Sequence, residues 1–166
     1  QLIEVVKKNN LFFIKRQIST KNKNFKANQL NNLFDNLFTK LGLEKARLSS
    51  VNNFSFSINK KLKFKDLKIE SKIKLHQLVI KNSYINLKSY LPNFEESINF
   101  KDHRIVINYK KDNLKIKGKG EILIKDKLDS INYEIIKNND KFKFDTKINL
   151  KNNKLLIDFL DYKKKE

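Results

Sequence analysis

The side chains that most often carry chemistry are thinly spread in this chain. It holds two histidines, His76 and His103, and no cysteine. A transition-metal site draws on several His, Cys or carboxylate ligands at short, recurring spacings. Neither histidine has such neighbours, and both are expected to be isolated and solvated. Without cysteine there is no disulfide or thiolate chemistry. The serines Ser49, Ser50, Ser55, Ser57 and Ser71 lack the G-x-S-x-G elbow that strains a serine into a nucleophile. Glu95 and Glu96 are adjacent carboxylates in an expected loop, where solvation is their ordinary fate. Gly118-Lys119-Gly120 is too little for a phosphate loop and lies between two strand patterns, not ahead of a helix. Glycines there would let a sheet bend or bulge. The sequence points away from an enzyme, and it implies no metal and no cofactor.

What the chain does have is patterned apolar surface. From Val51 onward apolar and polar residues alternate, the two-residue period of a half-buried strand. Phe54, Phe56 and Ile58 begin the pattern, Leu62 and Phe64 continue it, and the phase slips at Lys65-Asp66, where a bulge or turn is expected. Ile73 and Leu75, Leu78 and Ile80, and Ile85 and Leu87 follow, then a loop over 90–96 around Pro92. Ile105, Ile107 and Tyr109 form the next strand. Successive turns then lead to Leu114 and Ile116, to Ile122 and Ile124, to Ile131, Tyr133 and Ile135, to Phe142 and Phe144, and to Leu155, Ile157 and Phe159. Turns at ~8–12-residue intervals between alternating strands describe an antiparallel meander.

With only three glycines and one proline, the turns fall to Asn and Asp, which tolerate left-handed backbone. The expected positions are Asn52-Asn53, Lys111 to Asn113, Asp126 to Asp129, Asn138 to Asp140 and Asn152-Asn153. One amphipathic helix is expected near residues 27–41, where Leu30, Leu33, Phe34, Leu37, Phe38 and Leu41 recur at spacings of three and four. Gly42 stands where its C-terminal cap would be. Leu2 to Ile18 is ambiguous between a short helix and a buried strand. The organisation expected is a mixed segment over 1–50 followed by a β-meander over 51–166.

A chain of 166 residues is ordinarily one domain. Its formal net charge of +19 raises nucleic acid or an anionic surface as partners. Yet the lysines are spread along the strands opposite apolar residues, and abundant Lys, Asn, Ile and Phe is what an AT-rich genome encodes. Lysines interleaved with aromatics, as in Lys61 to Lys65 or Lys141 to Lys143, could stack single-stranded bases. Phe142 and Phe144 share their face with Ile and Leu of other strands, which argues for burial, so nucleic acid is disfavoured as a partner. Apolar runs such as Leu11 to Ile14 fall far short of the ~18 residues of a membrane span. The opening Gln1 and the absence of Met point to a piece of a longer protein. The apolar face must be covered by a second sheet, by the helix or by an apolar ligand, and the pattern leaves these open.

The stretch Ile116-Lys-Gly-Lys-Gly-Glu-Ile-Leu-Ile124, with Lys127-Leu-Asp-Ser-Ile-Asn-Tyr133, Phe142-Lys-Phe-Asp-Thr146 and Leu155-Leu-Ile-Asp-Phe-Leu-Asp-Tyr162, resembles the repeat units of AsmA-like proteins. It looks closest to the very large YhdP-type branch of AT-rich alphaproteobacteria. The resemblance covers about Val51 to Tyr162. It implies a curved, groove-like sheet within a long periplasmic protein, anchored in the inner membrane of a Gram-negative bacterium by a segment outside this one. The partners it implies are phospholipid acyl chains and neighbouring repeats of the same chain. The groove lining would be Phe54, Phe56, Ile58, Ile105, Ile107, Tyr109, Leu114, Ile116, Ile122, Ile124, Tyr133, Ile135, Phe142, Phe144, Leu155, Ile157 and Phe159. The function implied is phospholipid transport between the two membranes. A basic RNA-binding protein and a closed β-sandwich scaffold are the alternatives.

Overall fold

A computed structural model describes residues 3–31, 39, 42–81, 97–124, 127–139, 141–153, 155–157 and 162–164. Eight strands follow one another in a single antiparallel meander: β1 (Ile3–Lys8), β2 (Leu11–Phe25), β3 (Leu43–Asn59), β4 (Phe64–Lys81), β5 (Ser97–Lys110), β6 (Asn113–Ile124), β7 (Lys127–Asn138) and β8 (Lys141–Asn149). Their spatial order is their sequence order, so each pairs only with its chain neighbours and β1 and β8 are the edges. A separate two-stranded antiparallel ladder joins β9 (Leu155–Ile157) to β10 (Tyr162–Lys164). The expected mainly β, antiparallel meander is what the chain forms.

The ambiguous N-terminal segment resolves into strand. Asn9 and Asn10, at φ 47° and 62°, make the two-residue turn with left-handed backbone that suits the twist of a hairpin, and β1 pairs with β2 across it. Lys111 and Asp112, at φ 47° and 61°, do the same between β5 and β6. Position 51, where the sequence period changes, lies inside β3, which pairs with β2 on one side and β4 on the other. The helix α1 (Ala27–Asn31) covers the start of the expected 27–41 helix. The rest of that helix, apart from Thr39, lies outside the described residues. Gly42 has the expected cap geometry, with φ 63° and its N–H donating to the Thr39 carbonyl at 3.0 Å.

Bulges, not glycines, bend the long strands. The expected phase slip at Lys65-Asp66 is present: Lys65 faces Ser57, Lys68 faces Ser55, and Asp66 between them sits at φ 55°. Asp102, at φ 49°, occupies the corresponding place in the register break of β5 against β6. Asn22, at φ 45°, does so in the break of β2 against β3. Short polar side chains thus take left-handed positions of the kind that glycine fills in G1 bulges.

Several turn expectations need correction. Asn52-Asn53 lies in mid-strand, where the Asn52 amide donates to the Ile18 carbonyl at 3.3 Å and to Ser50 Oγ at 2.9 Å. Leu62, read as strand, is in the β3–β4 turn at φ 54°. Asn59 Oδ1 holds that turn by accepting the N–H groups of Lys61 and Lys63, each at 3.0 Å. Asp129, read as turn, is inside β7 opposite Ile122. The strand expected at Ile85 and Leu87 and the loop around Pro92 lie outside the described residues.

A single sheet leaves few interior positions. Among the described residues only Leu43, Ala46, Leu75, Ile122 and Ile131 are buried hydrophobics. The chain exposes 12338 Å², against about 8600 Å² for a compact protein of this size. That excess is the signature of one layer rather than two packed sheets.

Candidate functional site

Directly opposed residues of an antiparallel pair share a face, so the register sorts the side chains without ambiguity. One row runs Ile18, Asn52, Ser71, Ile107, Ile116, Ile135 and Phe144 from β2 to β8. A second runs Arg16, Phe54, Ile69, Tyr109, Leu114, Lys137 and Phe142 over the same strands. A third contains Ile73, Ile105, Gly118 and Tyr133. Phe56 and Ile58 follow Phe54 on this face, and the Phe56 ring lies 5.3 Å from that of Phe64. Thirteen of the expected lining residues therefore fall on one face: Phe54, Phe56, Ile58, Ile105, Ile107, Tyr109, Leu114, Ile116, Ile122, Tyr133, Ile135, Phe142 and Phe144; Ile124 pairs with Lys127 at the end of β6. Leu155 and Ile157 are in the separate β9–β10 ladder, and Phe159 lies outside the described residues.

The sheet also adds residues that belong to this face and were not expected there. Ile14, Ile18, Ile69, Ile73, Leu75, Ile131 and Ile148 lie on it. Parity within each strand was the available signal, and only the cross-strand register shows which parities coincide. The opposite face is dominated by lysine, with Lys68, Lys72 and Lys74 on β4 and Lys115, Lys117 and Lys119 on β6.

The apolar face is not uniform along the strands. At the end formed by the start of β3, β5 and β7 it is closed. Ile122 and Ile131 form a small core there, with Ile98, Phe100, Tyr133 and Leu150 packed around it. Leu150 is carried by the segment after β8, and Asp129 ties that segment down. Asp129 is 3% exposed; its Oδ1 accepts the N–H groups of Lys151 and Asn152 at 2.7 and 3.0 Å, and its Oδ2 accepts the Asn153 amide at 2.7 Å. Toward the opposite end the face is open: Phe64, Phe142 and Phe144 are 70%, 55% and 67% exposed. Phe142 and Phe144 stack side by side on the edge strand, their centroids 6.0 Å apart.

His103 and the two strand glycines build the closed end together, in place of the solvated histidine and the glycine bend expected from sequence. A Cβ at Gly120 would overlap the His103 ring, and one at Gly118 would overlap the ring of Tyr133. The glycines are the floor on which two rings lie flat against the sheet. His103 is 1% exposed and its Nε2–H donates to the Glu121 carbonyl at 3.0 Å. That fixes Nδ1 as the acceptor, toward which the Tyr133 hydroxyl donates at 3.4 Å. Burial pushes the His103 pKa below its ordinary value and the Tyr133 pKa above its own. The histidine is a neutral packing element. His76 is also not free in solvent: it is partly buried and bonded to Ser49 Oγ at 3.0 Å.

Among the described residues no cluster of His, Asp or Glu could hold a metal ion. No helix among them is long and apolar enough to cross a membrane. Comparison of the chain with protein-family models, with curated proteins and with solved structures finds no match.

Proposed function

We propose that this chain is a segment of a cell-envelope protein whose apolar sheet face shields phospholipid acyl chains on their way between the inner and outer membranes. One observation carries the reading. A face built from seven neighbouring strands is mostly apolar, interrupted by Arg16, Asn52, Ser71 and Lys137, yet among the described residues no second sheet packs on it. Soluble proteins seldom leave large contiguous apolar patches bare without a use for them. An acyl chain is a fitting cover, because it needs no polar partner and each buried methylene contributes about 0.8 kcal/mol. Rows dominated by Ile, Leu and Phe, with Arg16 and Lys137 confined to the outer strands, suit a chain that slides along the middle of the face, and the lysines of the opposite face stay in water. In this reading the protein works in the periplasm, held to the inner membrane by an anchor outside these residues, and neighbouring repeats continue the face. It performs no catalysis and uses no cofactor.

The test uses the exposed edge pair, which can be changed with little effect on folding. The wild-type chain, purified without detergent, is expected to carry phospholipid detectable by mass spectrometry and to bind a fluorescent fatty acid. Phe142→Ser with Phe144→Ser removes two large apolar contacts and should weaken that binding by about tenfold or more. Absence of both co-purifying phospholipid and fatty-acid binding, together with tight salt-sensitive RNA binding, would overturn the proposal in favour of the RNA reading.

A further inference from the structure

The lysine-rich face is not evenly charged, and one part of it is arranged more like a site than a solvated surface. Over β5 to β8 the register places Arg104 opposite Lys119, Lys119 opposite Asn132, and Asn132 opposite Lys147. Lys74 of β4 extends the row beyond Arg104. Neighbouring strands are about 4.8 Å apart, and like charges directly opposed across a ladder destabilise it. The usual remedy is a carboxylate between them, and the adjoining row has one: Glu134 bridges Lys115 and Lys117, each at 3.0 Å. The Lys117 and Lys115 ammonium groups hold the Glu134 carboxyl below the usual carboxylate range. Arg104, Lys119 and Lys147 stand in no ion pair among the described residues.

These cations line a shallow depression of about 500 Å³ together with Asn132 and with Lys117, Glu134 and Asp145 of the adjoining row. We propose that this depression binds a compact soluble ligand carrying two or more neighbouring phosphate groups. Arg104 offers the forked donor that fits phosphate oxygens, Lys119 and Lys147 add point charges on the two strands that flank Asn132, and the Asn132 amide donates between them. Like-charge repulsion that costs stability in the empty sheet becomes attraction to a polyanion. Glu134 and Asp145 lie in the adjoining row of the same depression, so the ligand must be compact enough to keep to the Arg104–Lys119–Lys147 row, which an extended anionic surface could not do. Single-stranded nucleic acid is disfavoured because this face of β5 to β8 presents no aromatic ring for bases to stack on. The site lies on the opposite side of the sheet from the apolar face, so its failure would leave the acyl-chain reading untouched.

The experiment is calorimetric titration of the full chain with inorganic triphosphate at low salt. The variant Arg104→Gln/Lys119→Gln/Lys147→Gln is set against Lys21→Gln/Lys45→Gln/Lys61→Gln, which removes the same net charge elsewhere. Triphosphate should bind the wild-type chain, at least about tenfold more weakly the site variant, and within about twofold of wild type the control. The site variant should keep or raise the thermal midpoint, because it removes opposed like charges, so lost binding would not reflect unfolding. Equal weakening in both variants would show only general attraction to a basic protein and would overturn the site. So would absence of binding. Binding of anionic vesicles or RNA that depends on the three residues but is not competed by triphosphate would overturn the assignment of a compact ligand.

Discussion

Replacing Asp129 by alanine should open the closed end of the apolar face, and the cost can be worked from its contacts. The carboxylate accepts three hydrogen bonds between 2.7 and 3.0 Å, from the backbone of Lys151 and Asn152 and from the Asn153 side chain. A hydrogen bond to a charged group is worth about 1.5–3 kcal/mol. Asn152 is exposed and can rehydrate its N–H, whereas the 1% exposed Asn153 amide would exchange its 2.7 Å bond for the more distant Lys127 carbonyl at 3.4 Å. The sum falls at about 3–5 kcal/mol, or roughly 10 °C in thermal midpoint for a chain of this length. Asp129→Asn keeps one acceptor oxygen but turns the other position into a donor, and should cost about half as much. Urea denaturation measures the loss. Hydrogen exchange locates it, because protection at the Lys151 and Asn152 amides should collapse before that of the β6–β7 ladder. Leu150 would then no longer cover Ile122 and Ile131, and binding of a hydrophobic dye should rise. A loss below about 1 kcal/mol with protection at Lys151 and Asn152 unchanged would refute the claim that Asp129 holds this end shut.

Two further outcomes test the ring packing beneath that closure. Gly118→Ala should cost about 2–3 kcal/mol, and clearly less in a Tyr133→Ala background, because the ring lying over the glycine is the obstacle; equal costs in the two backgrounds would place the strain elsewhere. His103 is held neutral with its pKa lowered by burial, so below about pH 6.5 the unfolded chain binds a proton that the folded chain refuses. Stability measured by urea denaturation should therefore fall as the pH drops from about 6.5 toward the lowered folded pKa, by at most about 1.4 kcal/mol per pH unit from this group. His103→Gln should flatten that slope, and an unchanged slope would show that other groups set it.

The strands were legible because alternation is a local property. Ile105-Ile107-Tyr109 and Leu114-Ile116 announce themselves within six residues, and Asn and Asp at the hairpin corners follow from the shortage of glycine. What the sequence hid is whatever depends on two strands at once. Asn52-Asn53 has the composition of a turn, but the stretches either side of it keep one phase, and pairing with both β2 and β4 carries the strand through. Asp129 looks like a turn residue because its partners, Lys151 to Asn153, are 22 to 24 positions away. His103 looked solvated for a similar reason: the glycine that makes room for its ring is on the next strand. The lining was legible in part, since each strand shows its own apolar parity, while Ile69 and Ile73 join the face only once β4 is aligned with β5.

The closed and open ends of the apolar face make separate demands on one set of strands. Leu75, Ile122 and Ile131 are buried by this chain's own residues, so changes there act on stability. Phe64, Phe142 and Phe144 are left bare by the described residues, and changes there have little folded contact to lose. In the proposed reading, function and fold are then divided along the strand direction rather than between layers, with the boundary set where the Leu150 segment stops. A two-layer sandwich could not divide in this way, because its second sheet would bury both ends alike. Polar substitution at successive positions on β7, from Ile131 through Tyr133 to Ile135, should therefore pass from loss of stability to loss of acyl-chain binding with stability nearly kept. A thermal midpoint that falls equally at all three would mean that the open end is as deeply packed as the closed one, and the proposed conduit would have no surface left to work with.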